Sequence, residues 1–182
     1  SNIFYSLSTI LIMIVPLLTM RTFSEERKDG TEQLLLTAPR SVTSIVLGKF
    51  FAALIVLLIA VVLTFIYYII LMFLGNPNIK TSLVTVFGFI LLGAALISFG
   101  MFASSITENQ VIAAIISIAF YVITWIGTPY LSQSLEPLGL MNMFNRFGNG
   151  QIDCTEVVAF ISYTVLFVLL TIIVIQRRKS VK

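Results

Sequence analysis

The residues able to do chemistry are concentrated in one stretch, Phe23–Arg40, with the sequence FSEERKDGTEQLLLTAPR. It holds seven of the chain's 19 charged residues, of which 11 are basic and 8 are acidic. The apolar runs on either side, Ile3–Met20 and Phe50–Leu74, contain no charge. Because charged groups are costly inside hydrocarbon, we expect this stretch to lie in water at one face of a membrane. There a soluble partner could push on the membrane part.

The sequence lacks the residues that most other kinds of functional site require. The chain has no histidine and a single cysteine, Cys154, which leaves no material for zinc or haem sites, catalytic triads or Cys–His pairs. The long apolar runs carry no acid or base, which argues against a proton-coupled transporter or pump. It also argues against a membrane enzyme or a passive channel. We expect no enzyme activity, cofactor or metal in this chain, and we expect most hydroxyls in the apolar runs to bond back to their own helix.

The elements that position the charged stretch are membrane helices. The 182 residues are 58% hydrophobic and 10% charged, whereas soluble domains are about 25% charged. Crossing the hydrocarbon core takes about 20 apolar residues, and continuous runs of this kind exclude the alternating pattern of a membrane β-barrel. The sequence predicts a single all-α, polytopic transmembrane helix bundle. Five spans are expected, at 3–20, 50–74, 83–103, 111–131 and 157–175.

The basic residues predict the orientation of the bundle. Nine of the 11 Lys and Arg residues lie in the 21–49 segment and the C-terminal tail, and only Lys80 and Arg146 lie in the alternate segments 75–82 and 132–156. The positive-inside rule therefore places 21–49, 104–110 and the C-terminus in the cytoplasm. The pI near 9.2 reflects charge that flanks the membrane rather than a nucleic-acid site. An N-terminus outside, without a signal sequence, suggests that a preceding first span is missing, giving six spans in the full protein.

Short cytoplasmic helices are expected within 21–49. Thr22 and Glu25 have the spacing of a capping box, and Gly30 would end that first helix. Thr31 would cap a second short helix, EQLLLTA. A third helix then enters the next span, with Lys49 snorkelling at the interface.

Two further segments have their own local signals. The 104–110 link contains two overlapping cap patterns, Ser105-x-x-Glu108 and Thr107-x-x-Gln110, and forms a smaller cytoplasmic protrusion. The external segment 132–156 is too apolar for a free loop and too polar to span, so we expect one or two short helices that re-enter the outer interface.

Small residues recur at helical spacing in the third and fourth spans. Gly93 and Gly100 are seven apart, and Ala113 and Ser117 are four apart. Such residues let helix backbones approach closely, either inside the bundle or at a dimer seam.

Four stretches of the sequence resemble the membrane subunits of type-2 ATP-binding-cassette transporters, especially the small six-span permeases that include the gliding-motility-type subunit. They are RTFSEERKDGTEQLLLTAPRS at 21–41, IVLGKFFA at 45–52, SSITENQVIAA at 104–114 and FNRFGNGQIDCTEVVAFISYT at 144–164, which together cover 61 of the 182 residues. Their order and topology match those of the family. The resemblance also implies an amphipathic N-terminal helix and a first span, both missing from this sequence, which agrees with the topology argument.

The resemblance implies a permease subunit in the inner (plasma) membrane of a prokaryote, paired with a second permease as a homodimer or heterodimer. A separate ATPase subunit would bind ATP and magnesium and dock on the cytoplasmic coupling helix. Carried over, the docking interface consists of Glu25, Glu26, Arg27, Lys28, Gly30, Thr31 and Glu32, with Glu108 and Asn109 in a second contact. The hypothesis is an exporter driven by ATP, and the alternative is a membrane scaffold of the same fold in a motility or assembly complex.

Overall fold

A computed structural model describes residues 2–32, 41–74, 79–127, 139–151 and 153–181. Within these ranges all regular structure is helical. The helices are α1 (Asn2–Thr19), α2 (Arg21–Lys28), α3 (Val42–Leu74), α4 (Ile79–Ile106), α5 (Gln110–Val122), a π-helical turn (Ile123–Gly127), α6 (Leu140–Gly148) and α7 (Cys154–Val181).

Three of these helices contain segments long and apolar enough to cross a membrane, namely Val42–Thr64, Ile79–Ile106 and Cys154–Ser180. Gln110–Trp125 is a shorter apolar helix. The prediction of an all-α membrane helix bundle is therefore confirmed, while the number of crossings and the missing N-terminal elements stay predictions.

Helix α4 is the centre of the bundle and contacts α1, α2, α3, α5, α6 and α7. From Leu92 to Ser105 most of its residues are buried. An aromatic cluster joins it to two neighbours, because the ring of Phe99 stacks on Phe120 of α5 with centroids 3.7 Å apart and meets Phe167 of α7 edge-on at 4.9 Å. The outer helices expose large apolar side chains such as Ile55 and Leu169, as expected of surfaces that face lipid.

The small residues of α4 serve packing inside the bundle. A Cβ added at Gly93 would lie 2.7 Å from the side chain of Leu57 on α3, and one added at Gly100 would overlap the side chain of Thr19 on α1. Ala113 and Ser117 on α5 are also buried within the chain. Of the two interpretations, intramolecular packing is the one confirmed for these four positions.

The two ends of α4 hold different elements. Near its start, Thr85 donates a hydrogen bond to the carbonyl of Phe147 on α6 (3.3 Å), and near its end Ser104 contacts α2. From Thr85 to Ser104 the helix rises through 19 residue steps, about 28 Å, which is close to the thickness of the hydrocarbon core. Helices α2 and α6 therefore lie at opposite faces of the bundle.

Helix α6 is one short helix of the predicted external segment. Leu140, Met143, Phe144 and Phe147 are buried, and a Cβ at Gly88, nine residues into α4, would lie 2.6 Å from Phe147. The segment thus reaches back along α4, while 132–138 lie outside the described residues.

Candidate functional site

Helix α1 ends at Thr19 and α2 begins at Arg21, and Ser104 stabilises the junction between them at Met20. The first four N–H groups of a helix have no partner within it. Here Ser104 Oγ accepts hydrogen bonds from the N–H groups of Phe23 and Ser24 (3.1 Å each) and donates one to the carbonyl of Met20 (2.9 Å). A residue about 80 positions away therefore caps α2.

The predicted capping box at Thr22 is wrong. Thr22 lies inside α2, and its hydroxyl donates to the carbonyl of Thr19 (2.8 Å); the residue at the N-cap position, Met20, is itself helical and makes no side-chain cap. The tertiary contact with Ser104 replaces the local one, so the helix begins two residues earlier than FSEERK would suggest.

The predicted end of α2 at a glycine is confirmed. Gly30 has a φ of +72°, a conformation that costs glycine little, and its N–H donates to the carbonyl of Arg27 (3.3 Å). Thr31 Oγ1 donates to the carbonyl of Glu26 (3.2 Å). The second short helix, predicted at 32–38, lies outside the described residues except for Glu32.

Lys49 attaches α2 to α3. Its Nζ lies 2.5 Å from Glu26 Oε2, donates to the carbonyl of Thr22 (2.5 Å) and sits 4.3 Å from the ring centroid of Phe23. That Lys49 snorkels at the interface stays a prediction; in the structure its ammonium is bound by α2.

Two arginines tie the far side of α2 to the end of α4 and to α7. Arg27 pairs with Glu108 in the 107–109 link (2.8 Å), and Arg178 of α7 pairs with Glu32 (3.3 Å). Both guanidinium groups also donate to the carbonyl of Ile106, at 3.0 Å and 3.4 Å, which satisfies an acceptor left over at the end of α4.

The caps predicted in the 104–110 link are also wrong. Ser105 Oγ donates to the carbonyl of Phe102 inside α4 (2.7 Å), and Thr107 Oγ1 accepts from the N–H of Asn109 (3.1 Å). The N-cap of α5 is Asn109, whose Oδ1 accepts from the N–H of Val111 (2.9 Å). Asn109 lies next to Glu108, so both residues of the predicted second contact stand beside α2.

The nine predicted interface residues divide into two groups at this face. Glu26, Arg27, Glu32 and Glu108 are paired within the chain, and Asn109 caps α5. The other four, together with Asp29, form a surface at the C-terminal end of α2, which we call the α2 tip: Glu25, Lys28, Asp29, Gly30 and Thr31. Lys28, Asp29, Gly30 and Thr31 are exposed, Glu25 is half-buried, and neither Glu25, Lys28 nor Asp29 forms an ion pair with any described residue.

A family model described as ABC-2 family transporter protein matches residues 3–180. The chain belongs to this family. No curated protein and no solved structure gave a match. Membership makes the chain a multi-pass membrane component of a transport system, of a family whose membrane proteins generally work with an ATPase subunit.

The interior of this ABC-2 family chain offers little free polar chemistry in the described helices. Hydroxyls of Thr64, Ser98, Ser117, Thr124 and Thr164 donate to carbonyls three or four residues earlier in their own helices, which confirms the predicted back-bonding. The residues that the structure describes contain no group of three or more metal-ligating side chains. The charged surface around α2 is thus the candidate functional site.

Besides Asp29, three residues of this site are not among the site residues predicted from the sequence. Ser104, Lys49 and Arg178 carry contacts between elements that are far apart in the chain. The only sequence signal for Lys49 and Arg178 is a basic residue at the end of an apolar run, which the positive-inside rule already explains.

Proposed function

We propose that this chain is the permease subunit of an ATP-binding-cassette exporter and that a separate ATPase docks on the α2 tip. A second permease completes the transmembrane path, and ATP and magnesium are bound by the ATPase. The inner membrane of a prokaryote, a cytoplasmic C-terminus and the gliding-motility-type group belong to the same proposal. Membership of the ABC-2 family supports its general form.

One observation carries the docking part, namely that α2 is exposed at its tip and firmly attached at its base. Glu26 is bound to α3 through Lys49, Arg27 to the link after α4 through Glu108, and Glu32 to α7 through Arg178. A force applied to the tip is therefore transmitted to three different helices rather than absorbed by a loose loop. Coupling of ATP hydrolysis to helix movement requires such an attachment.

The charges at the tip suit recognition of a soluble partner. Charges across an interface fix register and partner choice more than raw affinity, and those of Glu25, Lys28 and Asp29 are not used in ion pairs with described residues. Glu26 is a poor reporter of docking, because a lysine there would repel Lys49 and loosen α2 itself.

The test is therefore a charge reversal confined to the tip, Glu25→Lys with Lys28→Glu. We expect the double variant to lose co-purification of the ATPase from mild detergent while its own expression and thermal stability stay unchanged. Lys179→Glu is the matched control, because Lys179 is also an exposed lysine at the same face but lies outside the tip.

The results of these experiments test docking at the α2 tip and distinguish an exporter from a scaffold. Normal ATPase capture by the double variant would show that docking does not use the tip. Capture by the native protein without stimulation of ATP hydrolysis, and without energy-dependent efflux from cells, would favour the scaffold of the same fold.

A further inference from the structure

At the face opposite α2, a cleft of about 520 Å³ lies between α6 and the start of α7. Its volume falls in the range of small-molecule sites, roughly 300–1,000 Å³. The lining includes Asn142, Asn145, Arg146, Thr155, Glu156 and Ala159. Nothing in the ATPase-docking proposal uses this cleft.

Glu156 is the unusual member of the lining. It is the third residue of α7 and is only 4% exposed. Its Oε1 lies 2.9 Å from Arg146 Nη1, but its Oε2 is buried and has no hydrogen-bond partner among the described residues. A buried carboxylate oxygen without a donor costs free energy, so this atom calls for a donor from outside the described chain.

The local charge favours a cation as that donor. Arg146 also lies 4.0 Å from Asp153, so two carboxylates share a single guanidinium. Lys80, the other basic residue at this end of the bundle, does not line the cleft. The side chain of Arg146 is 54% exposed, which leaves N–H groups for an anionic group on the same ligand.

We propose that the cleft binds the primary ammonium group of a zwitterionic ligand, with Glu156 Oε2 as the acceptor and Arg146 beside the anionic group. A quaternary ammonium carries no N–H and cannot satisfy Oε2 by hydrogen bonding. The site therefore distinguishes ethanolamine headgroups from choline headgroups, which differ only by methylation of the nitrogen.

Two kinds of ligand carry such an ammonium group, namely an aminophospholipid in the adjacent leaflet and a soluble amine. Both are tested with the full-length protein. For the lipid, the protein is reconstituted in nanodiscs of phosphatidylcholine with a minor fraction of phosphatidylethanolamine, and native mass spectrometry reads which lipid is retained. For the soluble arm, glycerophosphoethanolamine and glycerophosphocholine are compared by thermal shift in detergent.

We expect the ethanolamine form to be preferred in at least one arm. Glu156→Gln should weaken its binding about tenfold or more, as loss of one charge-assisted hydrogen bond predicts. Asp153→Asn is the comparison variant, because Asp153 adds to the local negative charge through Arg146 but does not line the cleft; it should weaken binding less than Glu156→Gln does.

A second variant keeps the test sharp if Glu156→Gln folds poorly. Ala159→Leu fills the cleft without touching the carboxylate and should also abolish binding. Retention of phosphatidylethanolamine alone identifies a lipid site, and binding of glycerophosphoethanolamine identifies a site for soluble amines. Equal behaviour of both headgroups in both arms, or unchanged binding in well-folded Glu156→Gln, overturns the proposal.

Discussion

At the scale of single residues, Ser104 caps the start of α2 from a distant part of the chain. One hydroxyl serves the N–H groups of Phe23 and Ser24 and the carbonyl of Met20. Ser104→Ala should lower the free energy of unfolding by about 1–2 kcal/mol, the typical cost of losing an N-cap. Ser105→Ala is the control, since Ser105 is equally buried but bonds only within α4. Denaturant unfolding in micelles measures both, and equal losses would refute the capping role.

Gly100 marks the tightest crossing of α1, α4 and α5. An added Cβ would overlap the side chain of Thr19 and lie 3.1 Å from the hydroxyl of Tyr121, which itself donates to the carbonyl of Leu96 (2.5 Å). Gly100→Ala should therefore destabilise the bundle by about 1–3 kcal/mol, as overpacking does. Gly48→Ala, with open space around the added Cβ, should instead stabilise α3 slightly by helix propensity. We expect the midpoint temperature of thermal unfolding to fall in Gly100→Ala and to rise slightly in Gly48→Ala.

At the scale of elements, the attachment of α2 is testable through its ion pair with the link after α4. Arg27→Glu or Glu108→Arg alone places like charges at 2.8 Å, and the swapped double variant restores opposite charges. Because Glu108 is mostly exposed, we expect a coupling free energy of only about 0.2–1 kcal/mol. Hydrogen exchange of the α2 amides should speed up in each single variant and slow again in the double variant. Additive effects in the cycle would mean that the pair does not hold α2.

The sequence predicts the helices of this molecule better than it predicts their caps. A membrane segment must satisfy its backbone internally, so the apolar runs at 50–74 and 83–103 can only be helical, and the structure has them in α3 and α4. The predicted caps are wrong because a hydroxyl forms hydrogen bonds with whichever groups the tertiary fold brings to it. Ser104 and Phe23 are 81 positions apart, and no local pattern reports that proximity.

The charged face shows the same limit for the candidate site. The sequence locates the charged stretch correctly, but it does not tell which charges are used inside the chain. Glu26 and Glu25 are adjacent and identical in type, yet only Glu26 meets Lys49, because its place on α2 faces α3. The ion pair between Glu26 and Lys49 could not be predicted without knowing how α2 packs. Because Glu26 is used in this pair, a docking experiment should alter Glu25 instead.

At the scale of the whole molecule, α4 connects the two faces that carry charge. Its C-terminal end holds α2, and its N-terminal end holds α6 beside the cleft with Glu156. A displacement of α2 by a docked ATPase would thus act on the same rigid helix that supports the cleft. Any communication between the two proposed sites has this direct physical route through α4.

The single cysteine makes the orientation of the molecule testable without engineering the native protein. Cys154 is exposed at the start of α7, at the face of α6 and opposite α2. A membrane-impermeant maleimide added to intact spheroplasts should therefore label the native protein, because the positive-inside rule places that face outside. The reporter for the other face is Lys28→Cys combined with Cys154→Ser, which should react only in inverted vesicles, since Lys28 is exposed at the α2 tip. If the α2 tip is labelled from outside and Cys154 is not, the predicted orientation is wrong, and a cytoplasmic ATPase cannot reach the α2 tip.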